Sequence, residues 1–137
     1  MKPSEIAKDN KISNRDKFGV YVKGRRKELG MTIRTFAGEL NLTPAYISDF
    51  ENGNRNAPLK YLEKVAHILL VEEDEINYFY DIAGASRSNW PDLNEYLAKT
   101  PNARKALRLA RDKNMTGEQL LEAVSRLAKE KSYDFVK

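Results

Sequence analysis

The chain has 137 residues, 41% of them apolar and 32% charged, with a net charge of +4, one histidine and no cysteine. That length holds one domain, or a small domain with an appendage. The lack of cysteine excludes disulfides, cysteine-held zinc and thiol catalysis, and no apolar run approaches the roughly 20 residues of a membrane span.

Residues 1–13 show neither helical nor strand period and read as a flexible N-terminal tail, although Lys2, Lys8 and Lys11 would also suit a basic arm. Ser13 or Asn14 then caps a helix through about Leu29, with Phe18, Val22 and Leu29 inward. Arg26, four residues after Val22, falls on that apolar face and wants a partner, because a buried unpaired charge is costly. A second helix carries Ile33, Phe36, Ala37 and Leu40 at i, i+3, i+4 and i+7. Asn41-Leu42-Thr43 breaks the period, and asparagine tolerates the left-handed conformation of a tight turn. Thr43 is a fitting N-cap and Pro44 a fitting first residue for a third helix, which stops at Asn52-Gly53.

That third helix turns Ile47 and Phe50 inward. Ala45, Ser48, Asp49 and Asn52 share its other side, a small polar face. A helix fits the major groove of B-form DNA, where such side chains reach base edges. Periodicity alone leaves open a solvated face on an ordinary helical hairpin.

Asn54 to Ala57 is a polar loop, and Pro58 to about Val71 is a helix burying Leu62, Val65, Ala66 and Leu69. His67 has no partners at metal-ligand or catalytic spacing and reads as an ordinary surface or core histidine. Glu72 to Ala83 makes a further helix with Ile76, Phe79, Tyr80 and Ala83 inward. Acids at its start suit the helix dipole, and Gly84 ends it. Residues 85–90 read as a linker.

The rest is helical. One short helix begins at Trp90-Pro91 and a second at Thr100-Pro101, with Ala103, Ala106, Leu107 and Ala110 opposite Arg104, Lys105, Arg108 and Arg111. Thr116 to Gln119 is a capping box opening a third, bearing Leu120, Leu121, Val124, Leu127 and Ala128. So thin a core over residues 91–131 implies packing on a second copy or another surface. Residues 132–137 are expected to fray, unless Tyr133, Phe135 and Val136 dock on a partner.

Met31 to Asn54 resembles the helix-turn-helix of Cro and repressor-type regulators, the Xre family. Thr32, Phe36-Ala37, Ile47-Ser48 and Glu51-Asn52-Gly53 carry the likeness. Arg26, Leu29 and Gly30 upstream, with Pro58 and the Leu62/Val65/Ala66/Leu69 stripe downstream, extend it over roughly residues 15–84. The resemblance implies an all-α fold: a five-helix lambda-repressor-like domain over residues 14–84, then a smaller helical region. It also implies an ion pair between Arg26 and Glu51.

Docked as in that family, the helix over residues 44–52 enters the groove, with Pro44, Ala45, Tyr46, Ser48 and Asp49 at the bases. Asp49 would accept from a cytosine amino group and Ala45 would pack on a thymine methyl. Thr32, Arg34, Thr43, Asn52, Asn54, Arg55 and Lys60 are the expected phosphate contacts. The chain departs from the family at Ile33, where several members place a phosphate-binding Gln, and at Pro44-Ala45, a tip often rich in Gln. Base discrimination therefore rests on fewer hydrogen-bonding groups.

The charge distribution agrees. Residues 1–71 carry 13 Lys/Arg against 8 Asp/Glu, residues 72–81 carry 5 acids and no base, and residues 82–137 carry 11 bases against 7 acids. The part expected on DNA is basic.

The expected function is a cytoplasmic, sequence-specific regulator of transcription, a dimeric repressor on a double-stranded DNA operator. It needs no cofactor, metal or membrane. Two alternatives use the same residues: an antitoxin whose segment 86–137 neutralises a protein partner, and a helical adaptor that no longer binds DNA. No P-loop, glycine-rich phosphate cradle or Ser/His set suggests an enzyme.

Overall fold

A computed structural model describes residues 1–86 and 90–136, apart from the side chains of residue 91 and of residues 131–136. All regular elements among the described residues are helical. They are α1 (Pro3–Ala7), α2 (Lys17–Glu28), α3 (Ile33–Leu40), α4 (Pro44–Glu51), α5 (Leu62–Ile68), α6 (Ile76–Ala85), α7 (Pro91–Lys99), α8 (Pro101–Asp112) and α9 (Gly117–Val136). Short 3-10 turns, Leu59–Tyr61 and Glu73–Glu75, lead into α5 and α6. The chain forms two compact units, Met1–Asn94 and Glu95–Lys137.

The first unit is built on an aromatic centre. Phe18 of α2 lies 5.8 Å from Phe50 of α4 and 5.7 Å from Phe79 of α6, ring centre to ring centre, and all three are buried. Such tilted pairs add to the stabilisation from burial alone. Val22, Phe36, Ile47, Val65, Leu69 and Ile82 close the core around them. All but Ile82 are inward positions of the helical stripes; in α6 Ile82 is fully buried, while Ile76 and Tyr80, expected inward, are half-buried.

Residues 1–13 correct the expectation of a flexible tail. Pro3 and Ile6 of α1 are buried, and α1 packs against α6 and α2. The Ser4 amide and hydroxyl donate to Glu75 at 2.9 and 2.6 Å, and Lys17 Nζ donates to the Ala7 carbonyl at 2.7 Å. A five-residue helix is too short to display a period, and its anchors lie far along the chain. Glu75, read as part of an acidic helix start, is buried and held below the usual carboxylate range by Ser4.

Other boundaries shift for local reasons. Ser13 begins a turn, accepting from the Asp16 and Lys17 amides, and α2 starts only at Lys17. Pro58 precedes a 3-10 turn, so the α-helical part of the fourth expected helix is Leu62–Ile68, and Leu70 adopts φ +55° past its end. Gly84 is buried inside α6, which continues to Ala85. Within the expected linker, residues 87–89 lie outside the described ones. Trp90 lines a cavity of about 350 Å³ together with Ala7, Lys17, Tyr78 and Asp81, and the unit boundary follows Asn94.

In the second unit, Arg104 turns from the expected basic face to donate to the Leu97 and Ala98 carbonyls at the end of α7, at 2.5 and 2.9 Å. The capping box forms: the Thr116 amide donates to Gln119 and the Gln119 amide to Thr116 Oγ1, at 2.9 and 3.1 Å. The backbone of α9 stays helical to Val136, where fraying was expected. Docking by Tyr133, Phe135 and Val136 concerns side chains outside the described ones.

Candidate nucleic-acid interface

The turn between α3 and α4 is specified locally. Thr32 caps α3, its hydroxyl oxygen accepting from the Thr35 amide at 3.1 Å. Asn41 ends that helix in the left-handed conformation, φ 59°, and the Leu42 amide reaches back to the Ala37 carbonyl at 2.9 Å. Thr43 caps α4 in turn, accepting from the Tyr46 amide at 3.2 Å. Two eight-residue helices therefore meet through three residues, 41–43.

Three features hold α4 against the rest of the unit. The Arg26 guanidinium is clasped by Glu51, with Nε 2.7 Å from Oε2 and Nη2 3.1 Å from Oε1, while Nη1 donates to the Met31 carbonyl at 2.7 Å. One side chain of α2 thus ties the start of α3 to the end of α4. Gly19 lets the two backbones touch: a Cβ there would overlap the carbonyl oxygens of Phe50 and Glu51. Arg15 Nε donates to the Gly53 carbonyl at 2.9 Å, fixing the loop after α4 to the turn before α2. The sequence reading missed both Gly19 and Arg15. A glycine in mid-helix was a signal for the first; nothing local announced the second.

With α4 so held, its polar side faces solvent. Pro44, Ala45 and Asn52 are exposed, and Tyr46, Ser48 and Asp49 are half-buried. Asn52 donates to Ser48 Oγ at 3.3 Å, so these two polar tips are coupled. Ile33, where a phosphate-binding Gln was missed, packs partly on the core instead.

Thr32, Arg34, Thr43, Asn52, Asn54, Arg55 and Lys60 are all exposed. Thr32 donates its hydroxyl hydrogen to Thr35, whereas Thr43 uses only an oxygen lone pair for capping and retains its hydrogen. Lys60 sits by the Tyr61 ring at 6.0 Å. Arg55 is the outlier. Its guanidinium lies 4.6 Å from the centre of the Tyr46 ring and 3.9 Å from the Asp49 carboxylate, beside the expected base-reading residues.

Among the described residues no group of three or more His, Cys, Asp or Glu is gathered to hold a metal, and His67 is exposed. No described helix is long and apolar enough to cross a membrane.

A helix-turn-helix family model matches residues 22–76. The crystal structure of the clp gene regulator ClgR from Corynebacterium glutamicum is similar, with 24% identity over 54% of this chain and 94% of that one and a TM-score of 0.44. A second structure of the same regulator has 24% identity over 63% of this chain and 92% of the other, again with a TM-score of 0.44. Among curated proteins there is no significant match. The matched stretch, residues 22–76, runs from the middle of α2 to the first residue of α6 and is similar to the helix-turn-helix family.

Proposed function

We propose that the chain is a DNA-binding regulator of transcription that reads the major groove of double-stranded DNA with α4. The observation that carries the reading is the helix-turn-helix itself, with α4 clamped at its end by Arg26 and Glu51 while its polar side stays open. Ala45, Ser48 and Asp49, with Pro44 and Tyr46 beside them, are the proposed base contacts. Thr43 and Arg34, at the starts of α4 and α3, are proposed phosphate contacts, as are Thr32, Asn52, Asn54 and Lys60. Arg15 joins them, because its bond to Gly53 sets a cation beside the loop after α4.

We further propose that it acts as a homodimer and represses by occupying its operator. Leu121, Val124 and Leu127 recur along α9 and are 68, 57 and 64% exposed. Leu107 and Leu109 of α8 are also open to solvent. Monomers seldom leave so much apolar surface uncovered. A second copy of the chain covers it in the favoured reading, and two copies read two half-sites about one helical turn apart. The same surface supports a second reading, a protein partner neutralised by the C-terminal unit, as in an antitoxin.

Selection from a random duplex pool, followed by a salt titration on the enriched site, tests the proposal. A two-fold symmetric site with half-sites about 10 base pairs apart, bound with a steep salt dependence, is the expected result. Failure to bind any duplex at low salt would overturn it.

A further inference from the structure

Arg55 was expected on phosphate, and its surroundings argue for a different task. After Gly53, with φ +77°, the chain doubles back along α4, and the Asn54 amide donates to the Asp49 carbonyl at 2.9 Å. This carries the Arg55 side chain onto the flank of the helix. The guanidinium stacks over Tyr46, 4.6 Å from the ring centre, and that ring rests edge-on against the buried Phe50, centres 6.1 Å apart. Nη2 stands 3.9 Å from Asp49 Oδ2. Among the described residues Arg55 donates no hydrogen bond, so the whole guanidinium fork is available to a ligand. It is also half exposed, at 52%.

The arrangement places a planar donor fork beside a carboxylate acceptor. The major-groove edge of a G·C pair presents the complement: N7 and O6 of guanine as two adjacent acceptors, then the N4 amino group of cytosine as a donor. O6 and N4 are themselves hydrogen-bonded, so they lie about 3 Å apart, a spacing close to that of Arg55 and Asp49. An A·T pair interposes the adenine amino donor between its acceptors, and a guanidinium fork would meet that donor head on. The Tyr46 face adds preorganisation, since a stacked guanidinium loses less freedom on binding.

We infer that Arg55, stacked on Tyr46 and paired with Asp49, is a specificity-determining residue that reads a G·C base pair, guanine through Arg55 and cytosine through Asp49. The inference rests on the reading that α4 enters the major groove. It also accounts for an acidic side chain on a surface that faces phosphates: Arg55 offsets its charge until the cytosine amino group takes over.

The test uses the full chain and three variants, Arg55→Ala, Arg55→Lys and Asp49→Ala, each checked for an unchanged melting temperature. Affinity is measured on the selected site and on every single-base-pair replacement of it. The wild type is expected to select a G·C pair at one position of each half-site. Arg55→Lys and Arg55→Ala should both reduce discrimination there by about tenfold or more, because lysine keeps the charge and loses the fork. Asp49→Ala should relax the same position.

If Arg55→Ala weakens all sequences equally and Arg55→Lys restores affinity, Arg55 is a phosphate contact and the inference falls. An unaltered profile in both Arg55 variants would reduce the contact to a solvated ion pair, and the inference falls again. In either case the regulator reading survives, since the wild type has enriched a site. A wild type that enriches no sequence would instead overturn the parent reading.

Discussion

Replacing Arg26 by alanine would expose how much of the interface depends on one buried charge. The Arg26 and Glu51 side chains are 6 and 2% exposed, and the guanidinium makes two bonds to the carboxylate and one to the Met31 carbonyl. Arg26→Ala leaves the carboxylate stranded inside the unit, a change that costs about 3–5 kcal/mol. In a domain of this size each kcal/mol lowers Tm by about 4–8 °C, so the melting temperature should fall by about 12 °C or more. Urea and thermal unfolding followed by circular dichroism would measure it. The double variant Arg26→Met with Glu51→Leu removes both charges and keeps most of the volume. It should recover most of the loss, as apolar replacements of buried pairs often do. A single-variant cost below about 1 kcal/mol, the range of exposed pairs, would refute the reasoning, because it would mean that water reaches Glu51.

Gly19→Ala gains helix propensity, yet its Cβ would overlap the Phe50 and Glu51 carbonyls. It should therefore destabilise by about 1–3 kcal/mol and weaken DNA binding in a gel-shift titration, since α4 must move outward. Ser4→Ala should cost about 1–2 kcal/mol at pH 7, because it removes the hydroxyl donor to a carboxylate. Ser4 lowers the Glu75 pKa, so its contribution is complete above the ordinary carboxylate value of about 4.3 and is lost as pH falls through the lowered value. The gap between wild type and Ser4→Ala should thus close below about pH 4 in a series of melts. Val124→Glu puts a charge on the exposed stripe of α9 and should convert dimers to monomers by light scattering; dimers that persist would move the proposed contact elsewhere.

The parts of this fold legible in the sequence are those whose causes lie within a turn or two of the residue concerned. Thr32 and Thr43 cap the helices they precede, and Asn41 takes the left-handed turn between them. Arg26 could be singled out because a charge interrupts an apolar stripe, although the family likeness was needed to name Glu51. Helix α1 could not be read, because Pro3 and Ile6 acquire meaning only against α6, and Ser4 finds Glu75 at a separation of 71 residues. Arg15 was silent for the same reason.

Arg55 lies between these cases. Its charge and its loop were visible, and phosphate was the natural expectation for both. What redirects it is the backbone just before it. Gly53 reads in sequence as a helix stop, and it is one, but its φ of +77° also sets the direction in which the chain leaves. That left-handed backbone favours glycine by conformation, whereas the exposed Asp16 carboxylate that a Cβ would meet can turn aside. The glycine thereby folds residues 53–55 back along α4, and the Arg55 cation comes to rest on Tyr46. In this domain, the residue that ends α4 also decides which side chain is laid along its exposed flank, the one proposed to read a base pair.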